Sequence, residues 1–483
     1  MPGRKGIRRA GVKGIQQPVK APTSQMTGTK GAHRTEIMGS APVWGLLLRF
    51  SGPAIVSMVV AASYNLVDAI FVGRLGPEAL GALAVSFPLM MIFMAVSMGA
   101  AMGATSFISR SFGAGKYEEV HKAAGAALGL AVVIGLLMAA VCLPNMGNLL
   151  RFFGADKSVL PMATEYMSIL AAFAVVMSTG MAMGNIVRAE GSPMLSGAAM
   201  IASAVTNIIL DPILIFGLGP APELGVAGAA IATVLGRGVG VVIILIHFIS
   251  GRTQYRFRPS YFIPRPRMVA SFYRVGLAST IRMSSMSLVI AFANTIAVSF
   301  GVIPLAVLGV VFRLSRFIHM PTMGLGQGML PLVGYNFGAR QQKRVGEIVI
   351  KTGMLTFGWG LLCWSAFMLF PAKIMGGFNN EPQFLTVGVP AMRIFTMLMF
   401  ATQLQRIAGF FFQGIGKGKA SLVLASARPV IFLMPALLLL PRLFGINGLW
   451  IAFPVADVLS IVLTIVWAVR EFHQQGIPIR LRY

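Results

Sequence analysis

"MGAAMGATSFISRSFGAG", residues 98–115, and "MGLGQGMLPLVGYNFGAR", residues 323–340, decide the architecture when laid one on the other. The shift that carries Met98 onto Met323 also puts Gly99 and Gly103 on Gly324 and Gly328, and Phe112, Gly113 and Ala114 on Phe337, Gly338 and Ala339. The same shift pairs Gly76 with Gly301, Leu80 with Leu305, Leu83 with Leu308, and Gly191 of "RAEGSP" with Gly416 of "QGIGKG". A slightly smaller shift then places "GVAGAAIA" (225–232) on "GINGLWIA" (445–452), as a short loop deletion would produce. One offset recurring at separate places marks an internal duplication.

The duplicated units are membrane-embedded. Of 483 residues, 56% are hydrophobic and only 11% charged, and the mean hydropathy is +0.79. A helix needs about 20 apolar residues to cross a bilayer, and that ruler marks twelve spans. They fall near 44–73, 79–108, 121–146, 160–187, 195–218 and 225–250, then 271–300, 304–334, 346–371, 384–413, 420–441 and 446–470. Six spans per copy is an even number, so both copies enter from the same side and form a parallel repeat about an axis along the membrane normal. The expected fold is therefore all-α, an integral membrane protein of two homologous six-helix bundles.

Lys and Arg concentrate in one set of loops, which makes that side cytoplasmic and puts both termini there. The expected organisation is a basic, disordered cytoplasmic tail at 1–43, a first lobe at 44–250, a cytoplasmic linker at 251–270, a second lobe at 271–472 and a cytoplasmic tail at 473–483. The first tail lacks the apolar core of a signal peptide; an organellar transit peptide is the alternative reading. The net charge of +26 reads as topology signal, so no nucleic-acid partner is expected.

Cys142 and Cys363 are far apart and in apolar segments, which leaves no disulfide scaffold. Five scattered His without metal-site spacing argue against a resident cofactor or an intramembrane enzyme. Nothing suggests the symmetric pore of a channel.

"NLVDAIFVGRLGPEALGALAVSFP", the "GAG" loop after the second span, "RAEGSP", "NIILDP" and "GVAGAAIATVLG" resemble, in order and spacing, the multidrug and toxic compound extrusion (MATE) transporters from about residue 44 onward. The resemblance implies a V-shaped pair of bundles, and efflux of organic, often cationic, compounds against inflow of sodium or protons. The expected partners are the lipid bilayer of the plasma membrane and a small organic substrate, with a monomer as the working unit. The only coupling species expected is Na+ or H+.

Acidic residues narrow the site. There are 14 Asp and Glu, and all but Asp68, Asp211 and Asp457 fall in loops or at span ends. Glu190, beside Arg188, reads as a helix-end residue. Asp68 and Asp211 each lie about five helical turns past the inner end of their spans, counted from Arg49 and Pro193. At a rise of about 1.5 Å per residue, both carboxylates stand roughly 27 Å from that end. A buried carboxylate is expensive unless it is paired, protonated or ion-bound.

Asn65 precedes Asp68 by three positions and Asn207 precedes Asp211 by four, so each carboxylate has an amide on its own helix face. Thr233 on the sixth span reaches a comparable depth. Pro212 frees the Ile208 carbonyl, and Pro53 is an expected bend. These hard oxygens suit Na+, and two neighbouring carboxylates equally suit a proton. A purely structural hydrogen-bonding pair stays open as the alternative.

The resemblance maps one branch's cation site, an Asp on helix one, an Asn and an Asp on helix five and a Thr on helix six, onto Asp68, Asn207, Asp211 and Thr233. A second branch uses acidic residues on helices seven and ten, which are missing here; helix seven carries Arg282 instead. Asp457 is expected to pair with Arg282. The basic residues Arg282, Arg313 and Arg316 support a different function, a flippase for lipid-linked precursors or anionic amphiphiles.

Overall fold

The computed structural model describes residues 29–219 and 222–478. Twelve spans run through them. They are α1 Val43–Gly73, α2 Pro77–Gly113, α3 Tyr117–Phe152, α4 in two pieces (Leu160–Ala172 and Ala174–Ala189, bent by 52°), α5 Pro193–Phe216 and α6 Gly225–Ile249. The second set is α7 Pro266–Ser299, α8 Val302–Gly338, α9 Gln342–Leu369, and α10 in two pieces (Pro382–Thr396 and Met399–Gly414, bent by 43°). A helical run Gly418–Gln475 completes it, and breaks at Gly445 (φ 58, ψ −141) into α11 at 418–444 and α12 at 446–475.

The duplication is written in the backbone. The shift that aligns the two sequences carries the first and last residues of α2 onto those of α8, and α4 and α10 break at the matching positions Phe173 and Leu398. Gly76 and Gly301 enter α2 and α8 at φ 122 and 119, a region open to glycine and closed to residues with a Cβ. Where the first copy has Gly115 at φ 72, the second has Arg340 at φ 57, the one non-glycine with positive φ among the described residues.

Small residues bring the two bundles together. A methyl group at Gly103 would overlap the Phe272 carbonyl oxygen, and one at Gly338 would overlap that of Arg110. Backbone thus meets backbone where α2 approaches α7 and α8, in the halves nearer Gly113 and Gly338. The Thr280 hydroxyl donates to the Ala95 carbonyl at 2.9 Å, and the Ser106 hydroxyl to the carbonyl of Gln413. This is the face that bears the basic loops.

Two expectations change on that face. The 1–43 tail is not disordered throughout: Thr29–Ser40 is helical, with Met38 buried among Leu46, Leu47 and Met329. The Met38 carbonyl accepts from Asn336 at 3.0 Å, and Arg344 donates to the carbonyl of Ala41. Residues 1–28 and 479–483 of the two tails lie outside the described residues. The linker ends sooner than 270, because α7 starts at Pro266, and it is packed: Tyr255 and Tyr261 are buried, and Gly125 and Gly129 of α3 leave room for the backbone of Tyr261 and Phe262.

Pro53 and Pro212 each sit inside one uninterrupted helix, α1 and α5. Gly197 of α5 packs on Pro53, while Gly228, Gly236 and Gly240 of α6 press on the α5 backbone. These contacts seat α1, α5 and α6 side by side, and they position the acidic pair.

Candidate cation site and a basic cluster

Asp68 and Asp211 both lie little more than one turn before the end of their helices, and both are buried, 8% and 0% exposed. On α5 the helix repeat puts Asn207 one turn below Asp211, and its Nδ2 donates to Asp211 Oδ1 at 3.1 Å and to Thr233 Oγ1 on α6 at 3.4 Å. Asp68 stands close enough to act electrostatically on Asp211, and both act on the buried Tyr166 hydroxyl of α4. Four of the five expected residues are thus gathered on α1, α5 and α6. The side chain of the fifth, Asn65, lies outside the described residues.

Three oxygens in this group have no donor: Asp68 Oδ1, Asp211 Oδ2 and Asn207 Oδ1 are buried and unpartnered. An acceptor left so costs about 1–3 kcal/mol, more when charged. The nearby cation on α6, Arg237, is turned to Tyr64, donating to its hydroxyl at 2.9 Å. Pro212, lacking an N–H, leaves the Ile208 carbonyl without its usual helical donor. The donor set is all oxygen, which fits Na+ and does not favour a transition metal. No group of three or more His, Cys, Asp or Glu suited to a metal occurs among the described residues.

In the second lobe the expected Asp457–Arg282 pair does not form. Asp457 Oδ1 takes Arg428 Nε at 2.5 Å instead. Arg282 reaches Ser279 at 3.5 Å and stacks 5.4 Å above the Phe410 ring. Equal depth does not fix azimuth, and the π-helical turn Ala427–Leu433 of α11 sets the phase of Arg428. Arg406 on α10 lies in the field of Arg428, Arg282 and Asp457. Arg313 and Arg316 are exposed, and Arg316 lies 5.9 Å from the Phe87 ring across on α2.

Sequence reasoning missed Arg406 and Arg428, which a census of intramembrane basic residues would have found. It placed Glu190 at a helix end, where it is, but not its role. Glu190 is 1% exposed and faces His247 at 2.7 Å, while Thr253 Oγ1 and the Gln254 N–H donate to its other oxygen at 2.7 and 3.2 Å. It ties the linker to the first lobe, and Thr35 of the N-terminal helix reaches Gln254 in turn at 3.1 Å.

Comparison with known proteins identifies the fold and the family. The MatE family model matches twice, at residues 53–213 and 278–438, two stretches of equal length related by the same shift that aligns the two halves. The multidrug export protein MepA of Staphylococcus haemolyticus is 26% identical over 89% of this chain and 94% of its own. A multidrug resistance MATE family transporter of the MOP superfamily, solved in an outward-facing conformation, is 27% identical with a TM-score of 0.85, covering 92% of this chain and 99% of that one. A MOP superfamily transporter from Pyrococcus furiosus, described as having a binding pocket of reverse polarity that suggests a different function, is 26% identical with a TM-score of 0.85, covering 93% and 99%. Two copies of the family model, on two six-helix lobes that carry the same backbone breaks, make the chain a member of the MatE family, a multi-pass membrane transporter rather than an enzyme.

Proposed function

We propose that the protein is a secondary active antiporter of the plasma membrane, exporting amphipathic organic compounds, cationic ones foremost, in exchange for sodium ions or protons. The observation that carries this is the trio of orphaned acceptors on Asp68, Asn207 and Asp211. A bound cation, or a proton on one carboxylate, would satisfy them and relieve the repulsion between two negative charges in a low dielectric. The coupling cation is a second substrate here, held by Asp68, Asp211, Asn207 and Thr233.

Alternating access follows from the lobe contact. The basic face is the cytoplasmic one by its Lys and Arg, and the backbone approaches of α2 to α7 and α8 close it. The state described is then open outward, with the acidic pair in the outer half of the first lobe. Exchange of the cation for substrate shifts the balance between this state and its inward counterpart by their difference in affinity. One chain contains both lobes, so a monomer suffices.

The test is export of a fluorescent organic cation from everted vesicles with sodium and pH gradients imposed separately. Dependence on one gradient, lost in Asp68→Asn and in Asp211→Asn proteins that remain folded, is the expected result. Gradient-driven export that survives both substitutions overturns the reading and leaves the carboxylates structural. A second reading, a flippase for an anionic amphiphile or lipid-linked precursor, is favoured by the arginines of the second lobe and by the reverse-polarity pocket described for the similar Pyrococcus furiosus protein.

A further inference from the structure

The second lobe holds more positive charge than its structure uses. Arg406 on α10 lies in the field of Arg282 on α7, of Arg428 on α11 and of one carboxylate, Asp457 on α12, and Arg282 sits 5.4 Å above the Phe410 ring, one turn along α10 from Arg406. Asp457 is committed to Arg428 by their 2.5 Å contact. The other acidic groups of the lobe are engaged or remote: Glu347 pairs with Lys351, Glu471 with Lys417, and Glu381 is an exposed residue at the start of α10. Arg406 has no salt bridge or hydrogen bond with any described residue, and its Nε is buried without a partner. Arg282 has a single long contact to the Ser279 hydroxyl, which also accepts from Gln413 at 2.9 Å.

A structural role explains one arginine against one aspartate. It does not explain two further guanidinium groups within a membrane-spanning lobe, where each unmatched charge costs several kcal/mol. The surroundings do not neutralise them. His319 on α8, which feels both Arg406 and Arg428, is occupied with Ser315 and Gln403, and Gln405 with Ser460. All three arginines keep partial exposure. The Phe410 ring beneath Arg282 supplies an apolar wall one turn along α10 from Arg406.

We infer that Arg282 and Arg406, backed by the Arg428–Asp457 pair, form an anion-binding subsite of the second lobe that takes the carboxylate, sulfonate or phosphate group of an amphipathic substrate. The planar fork of a guanidinium matches such oxyanions with two parallel hydrogen bonds. The inference deepens the transport reading by assigning the lobes opposite charge preferences: cation in the first, anion in the second. Anionic or zwitterionic compounds then belong to the substrate class.

The test uses the full-length chain in lipid nanodiscs and the fluorescent carboxylate dansylglycine, with its uncharged methyl ester as control. Dansylglycine should bind saturably, and its ester at least about tenfold more weakly, the worth of one charge-assisted hydrogen bond. Arg406→Met should weaken the acid by a similar factor and leave the ester unchanged, and Arg406→Lys should restore part of the loss. Arg406→Met removes a charge that has no partner, so it should fold at least as well as the parent. Displacement by millimolar inorganic phosphate supports a site for the free oxyanion; failure of phosphate to compete supports an amphiphile whose apolar part is required. Equal affinity for acid and ester, or Arg406→Met without effect on the acid, overturns the proposal. Binding is measured at equilibrium with no gradient imposed, so failure of the antiport reading is read separately.

Discussion

Laying the first lobe on the second shows what the duplication kept and what it let go. The glycines that open α2 and α8 and the breaks in α4 and α10 coincide. The chemistry between them does not. At the offsets that align the halves, Asp68, Asn207, Asp211 and Thr233 meet Ala293, Phe432, Ala436 and Phe453, and Tyr166 meets Ala391. Those counterparts pack in the apolar core of the second lobe. In the other direction, Asp457 falls on Arg237, so the α6 and α12 positions carry opposite charges. A backbone that closes and bends in the same way in both halves evidently tolerates either a polar cradle or a hydrophobic plug at this depth. The fold does not require the acidic pair, which strengthens the case that transport does.

The strongest way to break this comparison is to give the first lobe the residues of the second. Asp68→Ala with Asp211→Ala should abolish gradient-coupled export, a loss of at least about 100-fold if the driving ion cannot be held, while the protein still inserts and folds. Sodium stabilisation, if sodium is the ion, should vanish with it. A ligand at 100 times its dissociation constant raises stability by about 2.7 kcal/mol, which thermal unfolding with and without sodium reads directly. An unchanged sodium shift in the double variant would place the ion elsewhere.

The next test concerns the second lobe alone. Asp457→Asn strands Arg428 without its carboxylate beside two arginines that already lack one, and should cost about 3–5 kcal/mol, the range for breaking a buried pair. Arg428→Met should cost less, because Arg406 already stands in the field of Asp457 and can take over. The double variant should recover part of the loss, and a coupling term near zero in the cycle would show that Asp457 and Arg428 do not interact.

How far the sequence alone reaches follows from these particular residues. The Asn207–Asp211 contact was legible because one turn of a single helix fixes both distance and face. The constant offset between the halves and the span lengths carried the two-lobe fold for the same reason: both are periodicities along the chain. Partners set by azimuth between helices were not legible. Asp457 chose Arg428 over Arg282 through the phase of a π-helical turn, which leaves no sequence mark. Glu190 is buried because a linker two spans further along the chain folds back onto it, and the Thr29–Ser40 helix ends in a docking of Met38 onto the second lobe. These are tertiary outcomes, invisible to composition and period.

A smaller effect should come from the contact between lobes. Gly103→Ala places a methyl where the Phe272 carbonyl stands, so α2 and α7 must part slightly. Overpacking of this kind costs about 1–3 kcal/mol, and here it falls on the state closed at the basic face. Labelling of a cysteine placed in the half of the cleft nearer that face should therefore rise in the variant, by about fivefold for each kcal/mol of shift. Gly81→Ala on the same helix meets only the Val159 side chain, at 3.0 Å, and serves as the control that should leave labelling unchanged.

The smallest effect sits where the two copies differ by a single Cβ. Gly115 and Arg340 turn the chain in the same way after α2 and α8, at φ 72 and 57, but only the glycine does so freely. A side chain in the left-handed region costs about 1–2 kcal/mol, while a glycine in the unfolded chain gains back about 0.5–1 kcal/mol of entropy. Arg340→Gly should therefore stabilise the protein by about 0.5–1 kcal/mol, and Gly115→Ala should destabilise it by about the same. Arg340→Ala separates strain from side chain, since it removes the guanidinium and keeps the Cβ; it should leave the midpoint of thermal unfolding close to that of the parent. If Arg340→Ala and Arg340→Gly stabilise equally, the relief comes from lost positive charge beside Arg110 and Lys116, which share a surface cavity with Arg340, and the backbone of the two copies is equally at ease.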